Sequence, residues 1–236
     1  MRGLVALIAL SGGCDSVFGL DSVNVRTGVP VFVHAAGKAF SDSDSPVQNL
    51  DVGLDAVTEG DLIVVAICQD ARNGPTGVSD DLQTPYTELS NGAATMGLES
   101  YVYWSRVTQT RSPFSVRATF ANEGGYAPDV RIAEYANLAE PVPVENAGVQ
   151  EDDMATSIAL VINVPAVPAL VFASSCVGTA ATNLQGFTTR VFTSPNSDLI
   201  ADQIVTTAGP LAVTAGQTGA SGLILQLVAF AGGPLP

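Results

Sequence analysis

The sequence is poor in basic side chains. Its 236 residues contain one lysine, Lys38, and the 9 Lys+Arg stand against 23 Asp+Glu, which gives a formal charge of −14. A surface that binds nucleic-acid phosphates needs clustered lysines and arginines that displace counterions. The arginines of this chain are scattered from Arg2 to Arg190. We therefore expect no nucleic-acid partner.

Residues that carry catalysis or hold cofactors are also scarce. The only histidine, His34, lies in the apolar run 31–36, and the chain has 3 Cys. No serine stands in a Gly-x-Ser-x-Gly elbow, and the zinc motifs Cys-x-x-Cys and His-Glu-x-x-His are missing. The sequence predicts a protein that is not an enzyme and has no resident cofactor, with His34 in a packing role.

Long hydrophobic runs are missing near the N-terminus, where the apolar stretch 3–10 is too short to span a bilayer. It follows Met1 and Arg2 and leads into small residues and Cys14. A basic start, a short apolar core and small residues are typical of a targeting segment. The alternative is a retained N-terminal strand or helix that packs against the domain.

With its continuation 14–21, this segment resembles the signal of bacterial lipoproteins, in particular that of myxobacterial lipoproteins. The resemblance implies a signal over 1–13, cleavage before Cys14, lipidation of the Cys14 thiol and a linker over 14–28. It also implies attachment, through the lipid alone, to a membrane surface that faces away from the cytosol.

A sustained helical period is missing from the rest of the chain. Short runs rich in Val, Ile, Thr and aromatic residues are instead separated by Gly, Pro, Asn, Asp and Ser, which is typical of strands and turns. The candidate strands are 29–36, 47–56, 61–68, 84–89, 98–107, 113–121, 129–136, 156–164, 169–177, 187–193, 199–206, 210–215 and 222–230.

Two of these segments indicate how the strands are buried. In 113–121 apolar and polar residues alternate, which predicts one buried and one wet face, whereas 62–68 is apolar on both faces, as expected for a central strand. We predict an all-β fold, a two-sheet antiparallel β-sandwich of jelly-roll-like form. It occupies 29–236 as a single domain, whose halves are joined by a loop over 137–155.

The chain from about residue 29 resembles a β-sandwich module found in secreted bacterial proteins and in phage tail or surface proteins. The residues that carry the resemblance are Gly60, Asp61, 62–68, Val78, Ser79, Asp80, Tyr86, Thr87, 101–104, 116–120, Glu134 and Tyr135. It implies a binding or architectural part and transfers no catalytic residue.

A short internal sequence repeat favours one duplicated sandwich. In 62–68 and again in 170–176 a leucine is followed six residues later by a cysteine at the end of an apolar strand. Cys68 and Cys176 are therefore candidates for a disulfide in an oxidising compartment, and buried free thiols are the alternative.

Three aromatic residues, Tyr101, Tyr103 and Trp104, stand together on one strand. If exposed, they would form a stacking platform for a sugar or an anchor for a protein, and if buried they belong to the core. Glu134 keeps phase with apolar neighbours, and a buried carboxylate needs a partner. We expect an ion pair with Arg117, with Arg106 and Arg131 as alternatives.

Carboxylates offer two further hypotheses. Calcium, a hard cation that needs six to eight oxygens, could bind at Asp80 and Asp81, or at the acidic clusters 42–44 and 151–153. Glycoside hydrolysis needs two acids in one cleft, for which Glu99 and Glu134 are candidates. Solvated turns and a structural ion pair are the more ordinary interpretations of these residues.

Two functions follow as hypotheses. The first is a non-catalytic extracytoplasmic β-sandwich, lipid-anchored or secreted, that binds a protein or a carbohydrate at a cell surface or self-associates. The alternative is a virion or phage structural protein, such as a tail, capsid or decoration subunit, with a retained N-terminus.

Overall fold

A computed structural model describes residues 28–40, 46–70, 74–89, 92–95, 97–121, 124–139, 144–182 and 184–233. Their regular structure is entirely β-strand, and none of them forms a helix able to span a membrane. The predicted signal, the predicted lipidation site Cys14 and the acidic cluster 42–44 lie outside the described residues.

The described residues form fourteen strands, which pair in antiparallel fashion throughout. The strands are β1 (Val31–Ala39), β2 (Asn49–Leu54), β3 (Leu62–Asp70), β4 (Pro75–Asp80), β5 (Thr87–Glu88), β6 (Ala93–Thr95), β7 (Leu98–Arg106), β8 (Phe114–Phe120), β9 (Asp129–Ala136), β10 (Val144–Val164), β11 (Ala169–Val177), β12 (Thr188–Phe192), β13 (Leu199–Val205) and β14 (Gly209–Ala231).

The first half is wound as a jelly roll. Strand β1 pairs with β9, β2 with β8 and β3 with β7. Because β9 also pairs with β3 and β8 with β4, two sheets result: a first inner sheet, β1-β9-β3-β7-β5 with β6 on β7, and an outer sheet, β2-β8-β4. This nested folding of an antiparallel ribbon defines the jelly roll.

The core of this half lies between its two sheets and follows the period of two. Phe114, Val116, Ala118 and Phe120 of β8 are buried against the first inner sheet, while the residues between them are wholly or partly exposed. The alternation predicted for 113–121 is confirmed.

The second half forms one sheet, the second inner sheet, in the order β10-β14-β11-β13-β12. The long strands β10 and β14 pair along their lengths with irregular register around Asp152 to Ser157. Beyond that point Ile158 and Val213 share a core with Val171 of β11. The distal ends of β10 and β14 therefore turn back over the outward face of their own sheet.

The two inner sheets pack face to face, and this contact is the junction between the halves. Leu62 and Val64 of β3 meet Leu170 and Phe172 of β11 in one buried cluster. The alternate residues of β3, such as Ile63, face the outer sheet. Strand β3 is thus buried on both faces, as its apolar sequence predicts.

The halves repeat one plan. Leu62 of β3 pairs with Tyr135 of β9, and Leu170 of β11 pairs with Phe230 of β14. The neighbouring strands, β1 and β10, share an irregularity at equivalent positions. The register of β1 shifts just after Phe32, which pairs with Tyr135. The register of β10 shifts just after Val144, which pairs with Phe230. Such bulges are specific features of a sheet. A pseudo-twofold axis therefore relates the halves across the junction.

The predicted class, an all-β antiparallel sandwich, is confirmed. The described residues form three sheets where two were expected, because the first half builds two sheets and the second half adds one. The predicted loop 137–155 is wrong in its second part, since β10 begins at Val144. Strands β4 and β6 were not expected.

Candidate functional site

A disulfide joins the halves at one end of the junction. Cys68 lies near the end of β3 and Cys176 near the end of β11, and their Cα atoms lie 5.5 Å apart. The bond spans 108 residues of sequence, and a loop of about that length is worth about 4 to 5 kcal/mol in the chain-entropy model. Of the two states that the sequence left open, the structure has the bonded one.

The residues beside the disulfide differ between the halves. Ser100 is opposite Cys68 on β7, and its hydroxyl donates to Oε1 of Gln226 on β14, 2.8 Å away across the junction. The pseudo-twofold axis places Asp198 where the first half has Ser100, and Arg131 where the second half has Gln226. A neutral hydrogen bond on one side of the axis is replaced by charged groups on the other.

Arg131 is the centre of this charged group and is fully buried. Its Nε lies 2.7 Å from Oδ1 of Asp129. Its Nη1 donates to the backbone carbonyls of Ser175, at 2.9 Å, and Leu199, at 2.8 Å. The guanidinium on β9 is thus held by β11 and β13, so it fastens the second half to the first.

Two buried carboxyls surround this one guanidinium. Asp129 accepts a short hydrogen bond from the hydroxyl of Thr193, and Oδ1 of Asp198 accepts one from the backbone N–H of Val177, 2.8 Å away. Burial raises the pKa of Asp129, against the opposing charge of Arg131. Burial also raises the pKa of Asp198 to about 8, with Arg131 opposing and Asp129 adding to the shift.

A cavity of about 410 Å³ opens beside the disulfide and Asp198. Cys68, Gln69 and Asp70 at the end of β3 form one wall, and the turns 177–180 and 195–198 form the other. Its volume lies within the range of ligand sites, which occur preferentially where domains meet. The cavity uses residues from both halves and exists only when the junction is formed.

The turns around the cavity are held in an uncommon backbone conformation. Ala127 and Ser197, which both line it, have positive φ angles of 44° and 65°. The side-chain amide of Asn196 donates to the carbonyl of Ala127 at 2.8 Å and so ties the two turns together. Left-handed non-glycine residues cluster at binding sites, because the surrounding structure must hold them.

The aromatic residues predicted as a platform do not form one. Tyr101 and Tyr103 share a face, as expected, but that face is the core of the first half, and Tyr103 is 6% exposed. Trp104 points to the opposite side, against the junction. The tyrosine hydroxyls donate to Glu99, at 3.1 Å, and Glu88, at 3.3 Å.

The predicted ion pair between Glu134 and Arg117 is wrong. Arg117 lies on the exposed face of the outer sheet and pairs with Asp51, 2.7 Å away. Glu134 is instead opposite His34 in the first inner sheet. Its Oε2 lies 2.5 Å from Nε2 of His34. Cross-strand register selects these partners, and the sequence does not show that register.

Glu134 has two further contacts that sequence reasoning missed. Its Oε1 accepts a hydrogen bond from the backbone N–H of Thr58 at 2.8 Å. Asp61 shares a hydrogen bond with it, and burial together with Glu134 raises the pKa of Asp61 to about 7. The Gly60-Asp61 turn before an apolar strand was the available signal for this cluster.

Glu99 and Glu134 do not share a cleft. Glu99 is opposite Gln69 and Glu134 is opposite Ile63, six positions apart along β3. At the rise of a strand this is a separation of about 20 Å, which is wider than any glycosidase pair. The hypothesis of a Glu99–Glu134 catalytic pair is wrong.

The carboxylate of Asp80 has a local role. It accepts backbone hydrogen bonds from Leu82, at 2.9 Å, and Thr84, at 3.0 Å, and is bonded by the Thr84 and Tyr86 hydroxyls. These bonds build a turn, and in the described part of the chain Asp80 and Asp81 do not come together with a third candidate metal ligand. At 151–153, Asp152 similarly caps the backbone of Met154.

In the described part of the chain, one set of three candidate metal-ligand atoms lies within 4.8 Å of one another. It consists of the sulfurs of Cys68 and Cys176 and a carboxylate oxygen of Asp198. Because the metal ligand is the thiolate, two sulfurs bonded to each other do not complete a metal site.

Comparison with known proteins gives no family. No protein-family model matches the sequence, and no curated protein is similar to it. Among solved structures, oxalate decarboxylase from Bacillus subtilis at pH 4.6 is matched over 100% of this chain and 87% of that chain, with 10% identity and a TM-score of 0.22. A deletion mutant of the same enzyme is matched over 89% and 76%, with 9% identity and a TM-score of 0.16. Similarity at this level transfers neither activity nor residues.

Proposed function

We propose that this protein is a non-catalytic extracytoplasmic binding module that holds a small polar ligand in the cavity at the junction of its two halves. The observation that carries the proposal is the cavity itself. Both halves form its walls, Cys68 of the disulfide lines it, and left-handed residues in turns tied together by Asn196 shape it. A surface without a ligand has no need of such a strained arrangement.

Two properties support an extracytoplasmic location. Disulfides persist in oxidising environments, and this one joins the halves through buried strands. The low content of basic residues argues against nucleic acid and fits a carbohydrate or protein partner at a cell surface. Lipidation of Cys14 would attach the module to its membrane, and a secreted form would lack that anchor.

Blocking the cavity tests the binding function. Ala180 lines the cavity and is partly buried, so Ala180→Trp fills it, while Ala56→Trp adds the same side chain at an exposed loop position. Purified protein would be screened by thermal shift against monosaccharides, amino acids and small amines. We expect stabilisation of the unaltered protein and of A56W by at least one compound, and none of A180W. Equal stabilisation of all three proteins, or of none, contradicts the proposal.

The jelly-roll winding also favours a second candidate, a virion or phage structural protein, because capsid proteins use this fold. Intact mass spectrometry of protein from its native source separates the two. A mass that begins at Cys14 with acyl chains supports the anchored module. A mass that retains Met1, on protein recovered from particles, supports the virion subunit and overturns the lipid anchor.

A further inference from the structure

The buried charges at the junction do not balance. Asp129 and Asp198 are 0% and 1% exposed, and Arg131, the positive group between them, is also 0% exposed. The guanidinium neutralises one carboxylate, which is Asp129 at 2.7 Å. Among the described residues, the other buried carboxyl, Asp198, has no cation of its own, so it must hold a proton or acquire a cation from elsewhere.

Asp198 is the carboxyl that can acquire a cation, because it lies at the cavity wall. Its Oδ1 accepts the N–H of Val177, and within the described residues its other oxygen, Oδ2, accepts no hydrogen bond. A carboxylate oxygen without a donor is uncommon in a side chain that is only 1% exposed. The open oxygen therefore provides a point of attachment for a donor in the cavity.

The remaining lining defines the sign of the ligand. Its described charged side chains are Asp198 and Asp70, both acidic, and amides and hydroxyls such as those of Gln69, Asn196 and Ser197 complete the polar surface. Among the described residues the lining has carboxylates and no lysine or arginine, and such a lining disfavours phosphates, sulfates and organic acids. The formal charge of −14 attracts cations toward the whole molecule.

The size of the cavity defines the kind of cation. A single calcium ion needs six to eight oxygens at 2.3–2.6 Å, and no such cluster of carboxylates is gathered in the described residues. A space of about 410 Å³ instead holds an organic molecule. We propose that the junction cavity binds a small organic ammonium ion, whose charged nitrogen donates to Asp198 and completes the charge balance of Asp129 and Arg131.

This inference rests on the proposed function and assigns the ligand class of the same cavity. It also couples binding to protons. The charged groups that act on Asp198 are Arg131 and Asp129 from β9, and Asp70 at the end of β3 lines the same cavity. Since the carboxyl of the empty site keeps its proton up to a pKa of about 8, an ammonium ion must displace that proton at neutral pH. Affinity should therefore rise with pH.

Isothermal titration of the full chain with n-butylammonium chloride tests the proposal. Alkylammonium ions resemble the lysine side chain and stay charged at pH 9. We expect binding at pH 7 that tightens about tenfold at pH 9. Asp198→Asn removes the charge but keeps the acceptor for Val177, and should weaken binding at least tenfold. Asp51→Asn makes the same change at an exposed carboxylate outside the cavity and should bind as the unaltered protein does.

Butanol, glucose and calcium chloride complete the experiment as separate titrants. Binding of the ammonium ion without binding of butanol supports the proposal, as does its loss in D198N with circular dichroism unchanged. Binding of glucose or calcium in place of the ammonium ion overturns the ligand class while leaving a ligand cavity. Failure of every titrant, together with a negative thermal-shift screen, overturns the proposed function itself.

Discussion

At the scale of single residues, the described structure treats its buried acids in two ways. Asp202 is bonded on both oxygens by Arg190, at 2.7 and 2.9 Å, and by the hydroxyl of Tyr135 at 3.0 Å. Asp198 is as deeply buried but has only one backbone donor. The first arrangement is complete without a ligand, and the second is not. The difference identifies Asp198 as the residue of functional interest.

Titration of Asp198 should make stability depend on pH. Its pKa is raised from 3.8 to about 8 by burial, so the folded state holds a proton that the unfolded state has released. The stabilisation is complete below about pH 4 and is lost as pH rises through 8. We predict that the free energy of unfolding falls by about 2 kcal/mol from pH 6 to pH 8, measured by urea denaturation.

The matched variant for this prediction is Asp198→Asn, which cannot titrate. Its unfolding free energy should vary less over the same range, leaving a smaller slope of the same sign from Asp129, whose pKa burial raises, and from Asp61, whose pKa is raised to about 7. Asp61 is more exposed, and solvent screening reduces its share. A slope equal to that of the unaltered protein would contradict the role of Asp198.

At the scale of strands, apolar pattern was enough to predict most elements. The alternating segment 113–121 corresponds to β8, and the apolar run 62–68 corresponds to β3. Both could be predicted because the positions of apolar residues show whether one face or both faces of a strand are buried. The repeat of Leu62 and Cys68 at 170 and 176 likewise located equivalent strands and the disulfide.

Elements held by backbone pairing alone were harder to predict. Strand β4 has the sequence PTGVSD, and residues 216–221 of β14 are small or polar, so neither shows a hydrophobic period. The partners of Glu134 depend on which residue is opposite it in the sheet, and the cavity depends on how two halves meet. Both are properties of register and packing between distant segments, and local sequence does not specify them.

Substitutions in β11 and β8 compare how much the junction core and an exposed ion pair contribute to stability. Phe172 is 0% exposed and packs between the inner sheets, so we predict that Phe172→Ala costs about 3 to 5 kcal/mol of unfolding free energy. Arg117→Ala on β8 removes only an exposed ion pair with Asp51 and should cost about 1 kcal/mol or less. Chemical denaturation of both variants compares them, and equal losses would show that the inner sheets do not form a shared core.

At the scale of the whole molecule, duplication explains where the candidate site lies. The disulfide joins equivalent cysteines and therefore crosses the pseudo-twofold axis. The bridge between Leu138, just after β9, and Gly232, just after β14, also joins equivalent strand ends across that axis. The positions beside the disulfide have diverged, with Ser100 and Gln226 on one side and Asp198 and Arg131 on the other. Symmetry positions the junction, and its loss places Asp198 and Arg131 on the side where the cavity lies.

The disulfide should contribute strongly to the stability of this arrangement. Because it closes 108 residues of sequence between the halves, we predict that Cys68→Ala together with Cys176→Ala lowers the free energy of unfolding by about 3 to 5 kcal/mol. Unfolding should remain a single transition, since the apolar face between the inner sheets couples the halves without the covalent link. Urea denaturation followed by both tryptophan fluorescence and circular dichroism measures the two quantities. The single tryptophan, Trp104, reports on the junction and circular dichroism on all sheets, so separated midpoints would show that the halves are independent and that the disulfide alone holds them together.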